Sequence, residues 1–403
     1  MLADLPLAFI LLGLTAYTVL GGADFGAGFW MLGSGHPDQA AIRDHARHSM
    51  GPVWEANHVW LIFVLVVCWT AYPVAFASIA STLTLPLFVA GVGIILRGAA
   101  YALRGQLEDA PHSRPVEIVF ALSSVLTPFA MGAAVGGIAS GRVPVGNAAG
   151  DLVTSWLNPT SILVGALGVA TSAYLAAVYL AADARRMKDE SLEGEFRSRA
   201  LWAALAAGAL ALGGLLILRR DAPSLWNGLA TGAGLVAVGV SGVAGLVTLV
   251  LVWRGTFGPA RTSAALAVAA IIAGWAVAQR PYLLPGLTID QAAAGRPTLI
   301  ALVVSVAAGA IVLVPSLLLL FGLFLRGRFE AAPEGSAVAI EVAPRTERQR
   351  SRRLGTSAAA GLVAGVALTV GASGWVQAVG IVFLCGSAAV TFVVAAAAPD
   401  EYE

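Results

Sequence analysis

Apolar runs of about 20 residues recur along the whole 403-residue chain, and each is long enough to cross the hydrocarbon core of a membrane as an α-helix. That core offers no water to backbone N–H and C=O groups, so a spanning segment must satisfy them internally, as a helix does. The runs therefore predict an all-α, polytopic membrane protein. Eleven spans are expected, near 5–32, 53–71, 77–103, 116–140, 160–182, 200–218, 229–253, 262–279, 298–325, 356–373 and 375–397.

The composition agrees with a bilayer as the solvent. Hydrophobic residues make up 58% of the chain and charged residues 12%, about half the charged fraction of soluble domains. So few charges cannot solvate so much apolar surface, which excludes a soluble globular protein, a disordered chain and a nucleic-acid binder. Cys68 and Cys385 lie in apolar runs outside any CxxC or Cys/His cluster, so we expect no disulfide framework and no metal site.

The basic residues predict an orientation. Of the 24 lysine and arginine residues, 18 lie in loops that follow odd-numbered spans and five in loops that follow even-numbered spans. Loops rich in Lys and Arg stay on the cytoplasmic side. The N-terminus is therefore expected outside the membrane, with the odd-numbered loops in the cytoplasm.

The first span carries one ionisable residue at depth, Asp24, within Gly21–Trp30. It lies eight residues before the predicted end of the helix, about 12 Å at 1.5 Å per residue. A carboxylate at that depth needs a partner or a water-filled path, or else it stays protonated. Gly22 and Gly26 have GxxxG spacing, which predicts a close helix crossing.

The second span opens with a polar cluster, Trp54-Glu55-Ala56-Asn57-His58-Val59-Trp60. On a helix Glu55 and His58 are i,i+3 neighbours, and Trp54 and His58 are i,i+4 neighbours. One alternative makes the tryptophans residues of the interfacial belt, and another makes Glu55 an acid that complements the helix dipole. Neither explains a carboxylate, an amide and an imidazole together at the edge of an apolar run.

With the predicted orientation, this cluster stands at the cytoplasmic mouth of the protein. Asp24, Glu55 and His58 are therefore candidates for a proton uptake route. Asn57, Trp54 and Trp60 are expected to support it.

The third span carries Arg97, Tyr101 and Arg104, spaced four and three residues apart on one helix face. Arg104 is expected to extend its charged end to the membrane surface. Arg97 lies about two turns deeper, and the sequence leaves Glu55 and Asp24 open as its partner.

The histidines limit what redox chemistry this chain performs. Haem iron needs axial His, Met or Cys ligands at membrane depth. Of the five histidines, only His58 borders a span. We therefore do not expect this chain alone to supply both axial ligands of a haem.

The segments 21–30 and 54–60, with the continuation 61–73, resemble subunit II of cytochrome bd-type quinol oxidases. Further agreement comes from Leu96-Arg97-Gly98, Thr127-Pro128, Leu157-Asn158-Pro159 and Pro281 to Thr288, in consistent order over 1–328. The family often has Asp-Gly and Gln at the positions of Glu55-Ala56 and His58. Glu55 keeps the carboxylate, whereas His58 adds a titratable group.

The resemblance implies a heterodimer with a larger subunit I in the bacterial cytoplasmic membrane. Subunit I would hold nearly all ligands of two b-type haems and one haem d. The complex would oxidise quinol outside and reduce O2 to water with cytoplasmic protons, and this chain would not be active alone. The resemblance also implies a nine-helix core of two four-helix bundles plus a peripheral helix, and contact with membrane lipid.

Residues 329–403 extend beyond the resemblance. We expect a transmembrane core over 1–328, a cytoplasmic linker over 329–355 and a transmembrane hairpin over 356–403. Gly361 and Gly365 again have GxxxG spacing, so the hairpin is predicted to pack on a helical face. Our hypothesis is that it occupies a lateral groove that small accessory subunits fill in some bd oxidases.

Two other functions stay open. A secondary transporter of a small solute or ion would also suit eleven helices and a buried Asp24. Such transporters tend to have repeats with broken helices, and Pro86, Pro128 and Pro315 do not form matching halves. A purely structural assembly subunit of the oxidase is the other possibility. It differs from an oxidase subunit that supplies a proton path only in whether Glu55 and Asp24 carry protons.

Overall fold

A computed structural model of the chain describes residues 2–32, 40–50, 54–107 and 113–325. Backbone contacts divide the chain into two units, 1–316 and 317–403. The architecture below is that of the first unit, together with the helical residues 317–325. The predicted linker at 329–355 and the hairpin at 356–403, with Gly361 and Gly365, lie outside the described residues and stay predictions.

The described residues are almost entirely helical. The helices are α1 Asp4–Ala16, α2 Gly22–Met31, α3 Ala40–Met50, α4 Trp54–Ala71, α5 Pro73–Thr82, α6 Thr84–Leu107, α7 Ser113–Ala139, α8 Pro159–Arg186, α9 Glu190–Asp221, α10 Pro223–Ala230, α11 Gly232–Trp253, α12 Phe257–Gln279, α13 Ile289–Ala292 and α14 Arg296–Leu325. A π-helical turn, Tyr17–Gly21, joins α1 to α2. The antiparallel strands β1 Tyr282–Leu284 and β2 Leu287–Thr288 form a short hairpin before α13.

The prediction of a polytopic all-α membrane protein is confirmed. Eight helical segments of the described chain are long and apolar enough to cross a membrane. The predicted span 53–71 corresponds to α4, whose apolar part, Asn57–Ala71, is shorter. The predicted span 200–218 begins earlier, at Glu190, because a charged segment extends α9 beyond its apolar run.

Two predicted spans are interrupted helices. The run predicted as 77–103 starts at Pro73 and breaks at Leu83, between α5 and α6. The run predicted as 229–253 starts at Pro223 and breaks at Thr231, between α10 and α11. Both breaks lie inside apolar sequence, so hydropathy alone does not reveal them.

The same local structure precedes both interrupted spans. Tyr72, before Pro73, has φ −134° and ψ 60°, and Ala222, before Pro223, has φ −136° and ψ 66°. A residue before proline is pushed out of the helical region, which ends the preceding helix. The first four spans, 4–139, and the next four, 159–279, therefore repeat one pattern, and α14 follows as the ninth span.

Ion pairs at the helix ends show which loops share a membrane side. Arg261, early in α12, pairs with Asp183, near the end of α8. Arg280, directly after α12, pairs with Asp4 at the start of α1. The regions after the fifth and seventh spans thus meet at one end of the helices. The loop after the eighth span lies at the opposite end, beside the N-terminal residues. The placement of the N-terminus outside stays a prediction.

Helix α8 is the centre of the fold, with 56% of its apolar window buried, against 6% for the described first part of α14. It packs against α7 and α9, and α2 crosses it on a third side. A Cβ atom on Gly26 of α2 would lie 1.9 Å from the backbone oxygen of Ser172 on α8. The two backbones are therefore in contact at Gly26. At Gly22 a Cβ would lie 3.5 Å from the Ser172 hydroxyl oxygen, an ordinary contact.

Substituting Gly26→Ala should push α2 away from α8 and cost about 1–3 kcal/mol or more of folding free energy, since packed interiors do not absorb an added methyl against backbone. Gly22→Ala is the matched control and should change stability by less than about 1 kcal/mol. Thermal unfolding of the purified protein in detergent measures both. Equal losses from the two variants would contradict the different roles of the two glycines.

A buried ion pair as the candidate functional site

The centre of the candidate site is an ion pair between Asp24 on α2 and Arg97 on α6, with both side chains 0% exposed. The Arg97 Nη2 donates to Asp24 Oδ1 at 2.8 Å, and Nε donates to Oδ2 at 3.2 Å. Nη2 also donates to the backbone oxygen of Asp24 at 2.7 Å. The two-pronged geometry sets both distance and orientation, as planar guanidinium and carboxylate groups favour.

Neighbouring hydroxyl groups bond to the pair. Arg97 Nη1 donates to the hydroxyl oxygen of Ser124 on α7. That hydroxyl donates to the backbone oxygen of Phe120 at 2.6 Å. The hydroxyl of Tyr101 donates to Asp24 Oδ1 at 3.3 Å. Each charged group therefore has partners beyond the other, which a buried ion pair requires.

Aromatic rings enclose the guanidinium. The Cζ atom of Arg97 lies 4.1 Å from the ring centre of Phe120, 5.0 Å from that of Phe25 and 5.6 Å from that of Tyr101. These distances are within cation–π range. Gly28 makes room for the arrangement, because a Cβ there would lie 2.0 Å from the Ser124 hydroxyl oxygen.

Of the two partners that the sequence left open for Arg97, the structure pairs it with Asp24. A lone carboxylate at membrane depth is costly. Paired with a guanidinium, it becomes a unit with no net charge. The site thus places a strong fixed dipole, with no net charge, among α2, α6 and α7.

A second group of polar residues lies beside the pair on α4. Asn57 is buried, and its side-chain nitrogen donates to the backbone oxygen of Leu20 at 3.3 Å. Leu20 belongs to the π-helical turn, a deviation frequently found at functional sites. The His58 ring packs 6.1 Å from the ring of Tyr17 and 6.2 Å from that of Phe25, measured between ring centres. Phe25 also contacts Arg97, so a single aromatic ring connects His58 to the ion pair.

The structure thus brings Asp24, Arg97 and Tyr101 together and places His58 and Asn57 next to them. Trp60 is half-buried and contacts Phe63 of its own helix, with ring centres 6.5 Å apart. The backbones of Trp54 and Glu55 belong to α4, and their side chains lie outside the described part of the molecule.

Sequence reasoning missed three residues of this site. Ser124 and Phe120 bind and cover Arg97, and Tyr17 packs on His58. The pair Ser123-Ser124 inside an apolar span is a weak signal for the first. No pattern in the sequence marks the π-helical turn that positions Tyr17.

Two histidines, His45 and His58, have side chains whose surroundings the structure describes. The Nε2 atom of His45 lies 3.0 Å from the backbone oxygen of Leu180, so that nitrogen is engaged within the protein. His58 is packed between two aromatic rings. Over the described residues, there is also no group of three or more His, Cys, Asp or Glu residues that would hold a metal ion.

Another polar cluster lies at the opposite end of the helices. Arg142, after α7, donates to both carboxylate oxygens of Asp221, at 2.6 and 3.0 Å. These hydrogen bonds raise the pKa of the Arg142 guanidinium above its usual range. The backbone N–H of Thr160 donates to the same carboxylate at 3.1 Å. The cluster joins the ends of α7 and α9 to the start of α8, and its role is best explained as structural.

Comparisons with known proteins agree on one family. The family model described as cytochrome bd terminal oxidase subunit II matches residues 2–324. Cytochrome bd ubiquinol oxidase subunit 2 of Bacillus subtilis (strain 168) is 27% identical over 131 residues, which are 32% of this chain and 38% of that protein. This alignment spans well under half of the relative's length. A chain in the structure of bd oxidase from Geobacillus thermodenitrificans is similar with a TM-score of 0.64 and 27% identity, over 80% of this chain and 98% of that one.

Removing one member of the buried pair should be strongly destabilising. Arg97→Gln or Asp24→Asn should each cost about 3–5 kcal/mol of folding free energy, because the remaining charge is left unpaired. The double variant should lose less than the sum of the two single losses, since neither charge remains. Thermal unfolding of the unchanged protein, the two single variants and the double variant completes this double-mutant cycle.

Glu195→Gln is the control for that cycle. It breaks an ion pair with Arg199 in which the Glu195 side chain is 52% exposed, and it should cost less than about 1 kcal/mol. Strictly additive losses for Asp24→Asn and Arg97→Gln would show that the two charges do not depend on each other.

Proposed function

The chain belongs to the cytochrome bd terminal oxidase subunit II family, and from this premise we propose that it is subunit II of a terminal quinol oxidase complex. The complex would couple the oxidation of quinol to the reduction of O2 to water. The observation that carries the proposal is the family match over residues 2–324. In this complex the chain supplies a scaffold and a proton path, and it is not active alone.

The redox groups of the complex would be haem b and haem d, held mainly by a larger subunit I. When bound, they transfer electrons from quinol to O2. The engaged His45 supports this division of labour, because its Nε2 lies 3.0 Å from the backbone oxygen of Leu180. Further partners would be membrane lipid and, in some complexes, small accessory subunits.

The proposed proton path begins at Glu55 and His58 and ends at Asp24. The i,i+3 spacing on α4 places Glu55 and His58 on one helix face. The hydrogen bond from Asn57 to Leu20 ties that helix to the first span, so His58 stays beside Phe25 and the ion pair. Arg97 and Tyr101 orient the Asp24 carboxylate, and Trp54 and Trp60 flank the mouth.

The ion pair suits such a path electrostatically. An unpaired carboxylate would trap a proton or a cation, and an unpaired guanidinium would repel an incoming proton. The Asp24–Arg97 unit has no net charge, so it neither traps nor repels a proton from a distance. Its carboxylate oxygens remain local proton acceptors. We propose that the pair serves as the fixed inner end of the route and that Glu55 and His58 form its entrance.

The proposed location is the bacterial cytoplasmic membrane, with the N-terminus outside. The excess of basic residues in the odd-numbered loops supports this orientation. The ion pairs at the helix ends support the alternation of loops on which it depends.

The repeated helix interruptions bear on the transporter alternative. Each half of the chain contributes four spans, so the two halves run in the same direction across the membrane. Transporters with broken helices around a midplane substrate site typically use inverted halves. In this chain the breaks at Leu83 and Thr231 lie within the third span of each half, but the two halves are parallel rather than inverted, which does not favour a transporter of that kind.

The assembly is tested by purifying the tagged full-length chain from its own bacterial membrane in mild detergent. A larger partner with haem absorption bands should copurify in equal amount, because the subunits are expected to form a stable heterodimer. An isolated chain that carries no haem partner would overturn the proposal.

The proton path is tested by Glu55→Gln in the assembled complex. Loss of the carboxylate should slow O2 reduction by about tenfold or more, since a positioned proton donor or acceptor typically contributes about 10²–10⁴-fold to a rate, while haem content stays unchanged. Glu190→Gln, an exposed carboxylate in the first turn of α9, is the control and should retain normal turnover. Unchanged turnover of Glu55→Gln at full haem content would make this chain a purely structural subunit.

A further inference from the structure

Helix α3, Ala40–Met50, lies between the first and second spans and packs against α2 and α8. One face of it is buried: Ile42 is 6% exposed, His45 4% and Ala46 1%. These residues are spaced i, i+3 and i+4, which places them on the same side of the helix. Two of them are apolar, but the imidazole of His45 is a buried polar group, and such a group needs a hydrogen-bond partner.

His45 has that partner on α8, the central helix. Its Nε2–H donates to the backbone oxygen of Leu180 at 3.0 Å. A carbonyl oxygen has two lone pairs, so Leu180 can accept this bond as well as one within α8. A hydrogen bond is directional, whereas the apolar contacts of Ile42 and Ala46 are not. The imidazole therefore sets the rotation of α3 and its position along α8.

Aromatic and charged side chains surround this contact. The ring centre of His45 lies 5.5 Å from that of Phe196 on α9. The Cζ atom of Arg199 lies 5.4 Å from the centre of the same Phe196 ring and 5.5 Å from that of Trp30 on α2. Trp30 donates from Nε1 to the backbone oxygen of Ala173 on α8 at 2.9 Å. His45 thus fastens α3 to a junction of three transmembrane segments, α2, α8 and α9.

This junction is close in the chain to the entrance of the proposed proton path. Helix α3 ends four residues before α4 begins, a distance that the chain spans over at most about 14 Å. Glu55 is the second residue of α4. After it, Asn57 donates to the π-helical turn at 3.3 Å. The backbone of Glu55 therefore lies between two hydrogen-bonded attachments, His45 before it and Asn57 after it.

We propose that His45 is a positioning residue for proton uptake. Its hydrogen bond to Leu180 fixes α3, and α3 fixes the start of α4, so the Glu55 carboxyl group is kept at the entrance of the path. His45 itself carries no proton along the route, because its Nε2–H is bound to a carbonyl oxygen. This inference rests on the proposed proton path.

The test is His45→Leu in the assembled complex. Leucine fills the space but cannot donate, so the backbone amides of α3 should exchange with deuterium faster than in the unchanged protein. Turnover should fall about three- to tenfold, which is part of what a positioned proton donor or acceptor contributes to a rate. The solvent deuterium isotope effect should rise, because proton delivery becomes slower. The KM for quinol and the haem content should stay unchanged.

His45→Gln should reverse these effects. The glutamine side chain keeps an N–H donor, so slow exchange of α3 and most of the turnover should return. Ser241→Ala is the matched control. Ser241 donates from α11 to the backbone oxygen of Ala267 on α12 at 2.9 Å, so this variant also removes a hydrogen bond between two helices. Its turnover and isotope effect should be normal.

A double variant tests whether His45 acts through Glu55. His45→Leu combined with Glu55→Gln should be no slower than Glu55→Gln alone, because the carboxylate that His45 positions is already absent. Losses that multiply in the double variant would overturn the inference.

Normal turnover of His45→Leu would also overturn it. So would a loss of turnover accompanied by a loss of haem, since the role of His45 would then be structural. If Glu55→Gln slows the enzyme and His45→Leu does not, this inference alone fails. If the chain purifies without a haem-bearing partner, the proposed function fails instead.

Discussion

The Asp24–Arg97 ion pair is the interaction on which the rest of this structure depends. Both side chains are fully buried inside a bundle of apolar helices, where an unpaired charge is costly. The pair can form only if α2, α6 and α7 meet at one depth, because Ser124 of α7 completes the shell of the guanidinium. The electrostatic requirement of two residues thus sets the relative position of three helices.

Small residues make that meeting sterically feasible. Helix α2 touches α8 through Gly26 and approaches Ser124 and Arg97 through Gly28. Within a bilayer, association of helices depends on close packing and on hydrogen bonds, because lipid tails are as apolar as leucine. The glycines and the ion pair therefore act together, and the same packing holds His58 and Tyr17 beside the pair. A rigid polar cluster of this kind is what the proposed proton path requires.

The repeated halves show where sequence patterns lose information. Hydropathy predicted continuous spans near 77–103 and 229–253, yet Leu83 and Thr231 interrupt both helices. Apolar residues continue through each break, so no change in composition marks it. Pro73 and Pro223 mark only where the two interrupted spans begin, because each ends the preceding helix through the residue before it. Two prolines at corresponding positions of the two halves produce the same turn twice.

The amino-acid sequence by itself determined the membrane class, the order of the nine described spans, the family and the polar residues worth following. Those conclusions depend on the lengths of apolar runs and on specific local motifs, which one chain displays directly. Only the tertiary structure decided that Arg97 pairs with Asp24, that Ser124 completes the pair and that Tyr17 faces His58. The physical reason is helix rotation: lipid-facing and core-facing residues are equally apolar, and a one-residue π-helical turn redirects a side chain without changing composition.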